Sequence, residues 1–185
     1  MEHMTAEEYK KLAGANDKAV RARIQGIVNR RNGELFENLI EASCNHFRMK
    51  GIAYIEKTPE PMRPISKPDK RGRFTAVFEK MAQADYKGAL KGGKAIAFEA
   101  KHTDADRIQR SAVSDEQEKC LDSMLEMGAE CFVIVSFGFQ KFYKVPWGLW
   151  KNMKQLFGRK YLKPEDITEY RIKYDGVLHF VNDKG

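Results

Sequence analysis

Apolar residues recur along the chain at two different spacings, and each spacing indicates a different kind of element. Within residues 33–50 they repeat at helical spacing, which predicts a helix with one buried face that ends at Gly51. Residues 131–137 form a continuous apolar run, which is typical of a strand buried on both faces. Residues 141–145 are expected to pair with that strand, and residues 53–57 form another predicted strand.

A second helix is predicted over residues 114–127. Ser114 and Gln117 have the spacing of an N-terminal capping box, in which each residue satisfies a backbone amide of the other. The apolar side of this helix is expected to hold Leu121, Met124 and Leu125.

The remaining pattern completes the order of elements. Residues 147–157 favour a short helix, whose Trp147 and Trp150 are expected in the core or at a dimer interface. A last strand is expected near residues 176–181. Because helices and strands alternate around an interior hairpin, the sequence predicts an α/β fold, a mixed central β-sheet flanked by helices.

A proline-rich segment interrupts the pattern after the predicted strand at residues 53–57. Proline lacks the amide donor of a sheet ladder, so this segment cannot continue as a central strand. The segment from about residue 59 to residue 81 is also basic, and it is predicted either to protrude as a DNA-binding stalk or to form a solvated loop. Its candidate DNA-binding residues are Arg63, Lys67, Lys70, Arg71 and Arg73.

The net charge of the chain indicates the kind of partner it binds, and its length indicates the number of domains. The chain has 185 residues, and its 33 Lys and Arg exceed its 26 Asp and Glu, which gives a net charge of +7. Such an excess is typical of a protein with a polyanionic partner such as nucleic acid. This length predicts one main domain, over residues 32–185, preceded by a basic helical arm over residues 1–31 that Gly14 and Gly26 weaken.

The spacing of the cysteines and the hydropathy of the chain predict its cellular compartment. Cys44, Cys120 and Cys131 are scattered and have no C-x-x-C spacing, so neither a disulfide framework nor a zinc cluster is indicated. No apolar run approaches the ~18 residues of a membrane span, and the first residues lack the apolar stretch of a secretory signal. A cytoplasmic protein without a membrane partner is expected.

The candidate chemistry lies in a predicted hairpin over residues 84–101. A three-residue loop, Lys91-Gly92-Gly93, places Asp85 opposite Glu99, with Lys101 two residues further along the same face. A two-residue Gly-Gly turn would instead split the two carboxylates across the sheet and mix apolar with ionic residues on both faces. The first register predicts one face with Asp85, Lys87, Glu99 and Lys101, and one with Tyr86, Leu90, Ile96 and Phe98.

Two adjacent carboxylates and a lysine indicate metal-dependent hydrolysis. The repulsion between Asp85 and Glu99 is best relieved by a divalent cation, and hard oxygen ligands favour Mg²⁺ or Mn²⁺ over Zn²⁺. The amine of Lys101 can orient an attacking water or stabilise negative charge that develops on a phosphate. The alternative is an exposed hairpin whose Asp, Glu and Lys form weak surface ion pairs.

The sequence around these residues resembles that of a known family. Asp85 followed by Glu99-Ala100-Lys101 is similar to the D…E-x-K signature of PD-(D/E)XK nucleases. Further matching segments resemble the RecU family of Holliday junction resolvases and cover most of the chain beyond the arm. These segments are Asn29-Arg30, Gly33, Glu37, Lys57-Thr58-Pro59-Glu60-Pro61, Asp85-Tyr86-Lys87-Gly88, Phe98 to Thr103, Glu116-Gln117, Cys131 to Ile134 and Arg159-Lys160.

The resemblance implies roles for five residues. Asp85 and Glu99 would bind Mg²⁺, for which Mn²⁺ would substitute, and Lys101 would activate water or stabilise the transition state. Glu37 would be a further metal ligand, although Glu34 and Glu41 share roughly its helical face. Gln117 would serve the catalytic site, and its alternative role is that of a capping residue. The segment Met81-Ala82-Gln83-Ala84 departs from the family, which usually has Ser or Thr there.

The resemblance also implies a substrate and an assembly. The basic stalk would enter the opening of four-way junction DNA, and a homodimer would make two symmetric nicks, one at each active site. Other recombination proteins are expected partners, and the host is expected to be a prokaryotic cell or its phage. Two alternatives remain open, namely another PD-(D/E)XK nuclease of restriction or end-processing type and a non-catalytic DNA-binding module.

Overall fold

A long N-terminal helix opens the chain in the computed structural model, which describes residues 6–59, 61–78 and 83–181. This helix, α1 (Ala6–Met49), takes in both the predicted arm and the predicted core helix, and Gly26 does not interrupt it. The chain divides into two compact units, of which the first ends at Leu35 and the second begins at Phe36. In the first unit, every side chain over residues 18–31 is exposed to solvent.

A five-stranded mixed sheet forms the centre of the second unit, as the sequence predicts. Its strands are, in spatial order, β1 (Ala53–Lys57), β4 (Tyr86–Leu90), β5 (Ala95–Thr103), β7 (Glu130–Phe137) and β8 (Lys141–Pro146). Strands β5 and β7 pair in parallel, and the other neighbouring strands pair antiparallel.

Helices cover both faces of this sheet. On one face, α2 (Asp115–Glu126), α3 (Trp147–Lys151) and α4 (Met153–Phe157) pack their apolar side chains against β5, β7 and β8. Trp147 and Trp150 are buried in this core. On the other face, the C-terminal part of α1 packs Phe36, Ile40 and Phe47 against the sheet. Because both faces are covered, β7 can be continuously apolar from Cys131 to Val135.

The β4–β5 hairpin has the predicted register. Tyr86 pairs with Phe98 and Lys87 pairs with Ala97, which continues to Asp85 opposite Glu99. Tyr86 and Phe98 stack at 4.9 Å between ring centroids on the α1 face. Both strands are interior to the sheet, so the alternative of an exposed hairpin with surface ion pairs is wrong.

Two small antiparallel sheets lie outside the central sheet. In the proline-rich segment, β2 (Met62–Pro64) pairs with β3 (Ala76–Phe78), and every side chain over residues 62–75 is exposed. Farther along the chain, β6 (Ile108–Gln109) pairs with β9 (Tyr161–Leu162). Short 3₁₀ helices follow at Arg110–Ala112 and Pro164–Tyr170.

Three expectations about elements are wrong in detail. Residues 176–181 form no strand, because Leu178, Phe180 and Val181 instead bury irregularly in the α1-side core. Leu125 is 46% exposed, since it lies near the end of α2 and beyond the edge of the buried stripe. Residues 147–157 form two short helices rather than one, with the break at Asn152.

Candidate active site

Four of the predicted catalytic side chains converge from three elements. Asp85 immediately precedes β4, Glu99 and Lys101 lie on β5, and Gln117 lies in the first turn of α2. The Lys101 amine lies 3.0 Å from Asp85 Oδ2 and 2.8 Å from Glu99 Oε2. The hairpin register and the alternation of side chains along β5 therefore bring the two carboxylates and the lysine to one point.

Backbone amides fix the two carboxylates. The Asp85 amide donates to Glu99 Oε1 at 3.2 Å, and the Ala100 amide donates to Asp85 Oδ2 at 3.1 Å. Each carboxylate therefore accepts a hydrogen bond from the segment that carries the other. This exchange orients both groups before any substrate is present.

The site is buried at one end and open at the other. The Glu99 side chain is 0% exposed, whereas Asp85 is 26% exposed and Lys101 is 19% exposed. A ligand can therefore approach Asp85 and Lys101, while Glu99 forms the floor of the site.

Burial and charge shift the proton affinities of the buried groups. Burial raises the pKa of Glu99 to about 8, and the negative charge of Asp85 adds to this effect while Lys101 opposes it. Burial alone would lower the pKa of Lys101, but the two carboxylates outweigh it and raise that pKa. Lys101 is thus held as a cation, and an additional positive charge would stabilise ionised Glu99.

Gln117 makes the contacts that each of its two predicted roles requires, with the helix cap and with the carboxylate pair. Its side-chain oxygen accepts from the Ser114 amide at 3.1 Å, and its backbone amide donates to Ser114 Oγ at 3.2 Å, so the capping box is complete. Its Nε2 donates to Asp85 Oδ1 at 3.1 Å and also to Glu99 Oε2. The cap therefore points the side-chain amide at both carboxylates.

The structure does not bring Glu37 into direct contact with the carboxylate pair. Glu37 Oε2 instead forms an ion pair with Lys57 Nζ at 2.7 Å, and Glu41 lies 3.9 Å from the same amine. The next residue, Thr58, donates its amide to the Asp85 carbonyl at 2.8 Å. Glu37 is therefore linked to the site through Lys57 and its neighbour Thr58. Its role as a metal ligand stays a prediction.

The donor set fits a hard divalent cation held by two side chains. Asp85 and Glu99 offer carboxylate oxygens, and Mg²⁺ is commonly bound through one or two carboxylates together with substrate phosphates. Over the described ranges, no group of three or more Asp, Glu, His or Cys side chains is arranged to hold a metal. Lys101 balances one of the two negative charges, so the ionised pair retains one that a cation would neutralise.

The predicted DNA-binding residues lie on the β2–β3 hairpin. At its tip, Asp69 accepts from the amides of Arg71 and Arg73 and pairs with the Arg73 guanidinium at 2.9 Å. Asp69 thus shapes the tip and partly neutralises Arg73, while the Arg71 side chain is exposed. Arg63 is on β2, and Lys67 and Lys70 are exposed in the loop. Part of the predicted stalk, at residues 60 and 79–81, lies outside the described residues.

The sequence pattern assigns no role to two lysines beside this site, although it places Lys87 on the same face as Asp85. Lys57 ends β1, and its proximity depends on the β1–β4 pairing, which no local pattern reveals. Lys87 Nζ donates to Gln83 Oε1 at 2.9 Å. This bond links the residue two positions before Asp85 to the residue two positions after it. Gln83 belongs to the segment that departs from the family pattern, of which Met81 and Ala82 lie outside the described residues.

Among the helices that the structure describes, none is both long and apolar enough to span a bilayer.

Most of the chain matches known proteins. The family model described as "Recombination protein U" (RecU) matches residues 31–182. A Holliday junction resolvase RecU from Streptococcus sanguinis is 33% identical over 121 residues, which cover 62% of this chain and 60% of the relative. A Holliday junction resolvase RecU from Geobacillus kaustophilus is 27% identical over 180 residues, which cover 92% of this chain and 86% of the relative.

Among solved structures, that of Archaeoglobus fulgidus Hjc, a Holliday junction resolvase, aligns with a TM-score of 0.44 and 13% identity. The alignment covers 74% of this chain and 93% of that chain.

Proposed function

We propose, from the premise that this chain belongs to the RecU family, that it is an endonuclease that resolves Holliday junctions in DNA recombination. The observation that carries this proposal is the convergence of Asp85, Glu99, Lys101 and Gln117 in one partly open site. The same domain presents an exposed basic hairpin that suits a phosphate-rich partner.

Hydrolysis of a phosphodiester would use these residues as follows. Asp85 and Glu99 would hold Mg²⁺, which supplies Lewis-acid activation of the phosphate and of water. Lys101, held as a cation beside both carboxylates, would stabilise the negative charge that develops on the phosphate as a P–O bond breaks. Gln117 would keep both carboxylates in place while their charges change.

Substrate selection would rest on the β2–β3 hairpin. Its lysines and arginines are exposed on a narrow two-stranded element, which suits the space where four duplex arms meet. We further propose that the protein acts as a homodimer, because a two-fold symmetric junction requires two symmetric nicks. A cytoplasmic location and contacts with other recombination proteins complete the proposal, and the bacterial relatives support the former.

Nicking of a synthetic mobile junction and of a matched linear duplex, each with and without Mg²⁺, tests the proposal. We expect paired nicks in the junction with Mg²⁺, little cleavage of linear duplex, and none without metal. Equal cleavage of both substrates would favour a restriction-type or end-processing nuclease. Junction binding without cleavage under all metal conditions would favour a non-catalytic DNA-binding module.

A further inference from the structure

The β6–β9 pair carries a basic and aromatic cluster that the proposed reaction does not use. Ile108 and Leu162 anchor this pair by burial in the core, whereas Tyr161 is only partly buried. We name this pair and its flanking cations the β6–β9 ribbon. The cations are Arg107, Arg159, Lys160 and Lys163.

Two guanidinium groups share one tyrosine ring in the ribbon. The Arg107 guanidinium lies 5.1 Å from the Tyr161 ring centroid, and that of Arg159 lies 4.9 Å from it. The phenol ring attracts each cation, but the two cations repel each other. The ring also restricts both side chains, so less conformational entropy is lost when they bind an anion.

The ion pairs of the ribbon are unevenly distributed. Arg159 pairs with Asp166 at 2.5 Å. Asp106 lies 4.0 Å from Arg107 and 3.9 Å from Lys163, so one carboxylate serves two cations at the limit of contact. The side chain of Lys160 is exposed, and no ion pair links it to any residue that the structure describes. The ribbon can therefore accept further negative charge at Arg107 and Lys160.

The ribbon is connected to the active-site helix. The Arg110 amide donates to the Lys160 carbonyl at 2.9 Å, and the Arg110 guanidinium pairs with Glu118 at 2.6 Å. Glu118 follows Gln117, whose side chain contacts both catalytic carboxylates. An anion bound at the ribbon would thus lie on the α2 side of the active site. The β2–β3 hairpin belongs to a different part of the sequence.

We infer that the β6–β9 ribbon is a second DNA contact, which binds the phosphodiester backbone of a duplex arm. This inference rests on the proposed function. Planar guanidinium groups fit phosphate oxygens, and an arm that passes the ribbon would be held beside the active-site helix. The hairpin would then recognise the junction opening, while the ribbon binds a feature that every duplex possesses.

Single charge removals separate the two contacts. The variants Lys160→Gln and Arg107→Gln are compared with Arg71→Ala in the hairpin and with Lys94→Gln as a matched control. Lys94 is exposed in the turn between β4 and β5, at the end of β5 opposite the catalytic Lys101. Dissociation constants are measured on the junction and on linear duplex over a range of salt concentrations, without divalent metal.

Each ribbon variant should weaken binding to both DNAs by roughly three- to tenfold and lower the log-log salt slope by about one. The Arg71→Ala variant should weaken junction binding alone, and Lys94→Gln should change neither. Loss confined to the junction, or ribbon variants that match Lys94→Gln, would overturn the assignment to a duplex arm. Melting temperatures of the variants establish that each one folds.

The proposed function has a separate readout in the same series. Mg²⁺-dependent nicking of the junction by the parent protein tests that function without reference to the ribbon. A parent that nicks junctions while the ribbon variants bind normally would remove the ribbon alone. A parent that fails to nick, with ribbon variants that lose affinity for both DNAs, would leave the ribbon contact in place and remove the resolvase activity.

Discussion

Glu99 combines complete burial with a negative charge that the proposed catalysis requires. Its raised pKa means that the folded metal-free protein holds a proton there that the unfolded chain has lost above its ordinary pKa of 4.5. This contribution to stability is fully present below about pH 4.5 and is lost as the pH rises through about 8. The loss amounts to at most about 1.4 kcal/mol per pH unit in that window.

Replacement of Glu99 by Gln should therefore have opposite effects on stability and activity. Glu99→Gln imitates the protonated side chain, so its stability relative to the parent should increase from pH 6 to pH 8.5 in the absence of metal. Nicking should fall at least about a hundredfold, because one ligand charge is lost. Urea unfolding at the two pH values measures the first effect. A stability difference that is independent of pH would contradict the protonation of Glu99.

Gln117 offers a second test at the scale of single residues, because capping and catalysis can be separated. Gln117→Ala removes the contacts to both carboxylates and half of the capping box, so nicking and melting temperature should both fall. Ser114→Ala removes the Oγ half of the capping box and leaves the Nε2 contacts, so it should cost about 1 kcal/mol of stability with nearly unchanged nicking. Equal loss of nicking in both variants would show that the cap alone matters.

Side chains of the site differ in how far the sequence reveals them. Asp85, Glu99 and Lys101 are predictable because they share one hairpin, where turn length and alternation fix the register. For Gln117 the sequence leaves two roles open, capping and catalysis. The capping-box spacing does not indicate which groups the side-chain Nε2 contacts. The pairing of Glu37 with Lys57 depends on how α1 meets β1, and a single sequence does not encode that contact locally.

At the scale of elements, the close approach of β1 to β4 positions the site. A Cβ at Gly88 would lie 2.0 Å from the Tyr54 carbonyl oxygen and 2.7 Å from the Ile55 Cα. These are backbone atoms, so a side chain at position 88 would push β1 away from β4. Just beyond the paired strands, the Thr58 amide donates to the Asp85 carbonyl, which helps to hold Asp85.

Gly88→Ala should therefore reduce both stability and nicking. We expect a loss of about 1 to 3 kcal/mol, typical of overpacking, with a lower rate at saturating DNA because Asp85 shifts. Gly148→Ala is the matched control, since a Cβ there meets nothing within 4 Å and the residue is helical. Its stability should match or exceed that of the parent. A Gly88→Ala variant that behaves like this control would contradict the close approach.

Elements with local signals are predicted well, and those defined by distant contacts are not. The β4–β5 hairpin and the α2 cap follow from short-range chemistry and are confirmed. The parallel pairing of β5 with β7 joins segments separated by α2, and nothing in either strand specifies its neighbour. The alternating apolar residues near Leu178 imitate a strand, but they serve an irregular buried tail instead.

For the whole molecule, the proposed two-fold assembly makes a prediction about mixed dimers. A dimer of one parent subunit and one Asp85→Asn subunit should nick a junction on one strand only, because each site acts on one strand. Its affinity for the junction without metal should equal or exceed that of the parent dimer, since an acidic charge near DNA is removed. Strand-specific end labels reveal the two nicks separately. Paired nicks by the mixed dimer would contradict one site per subunit.

The hydrogen bond from the Leu178 amide to Ser43 Oγ, 2.9 Å long, joins residues 135 positions apart. Contacts across such sequence separations slow folding, because the chain entropy is lost before the contact forms. We expect the α1-side core to close in a late kinetic phase, after the β4–β5 hairpin has formed. Pulse-labelled amide exchange should therefore show Leu178 protected after Phe98, and Ser43→Ala should speed unfolding more than it slows refolding.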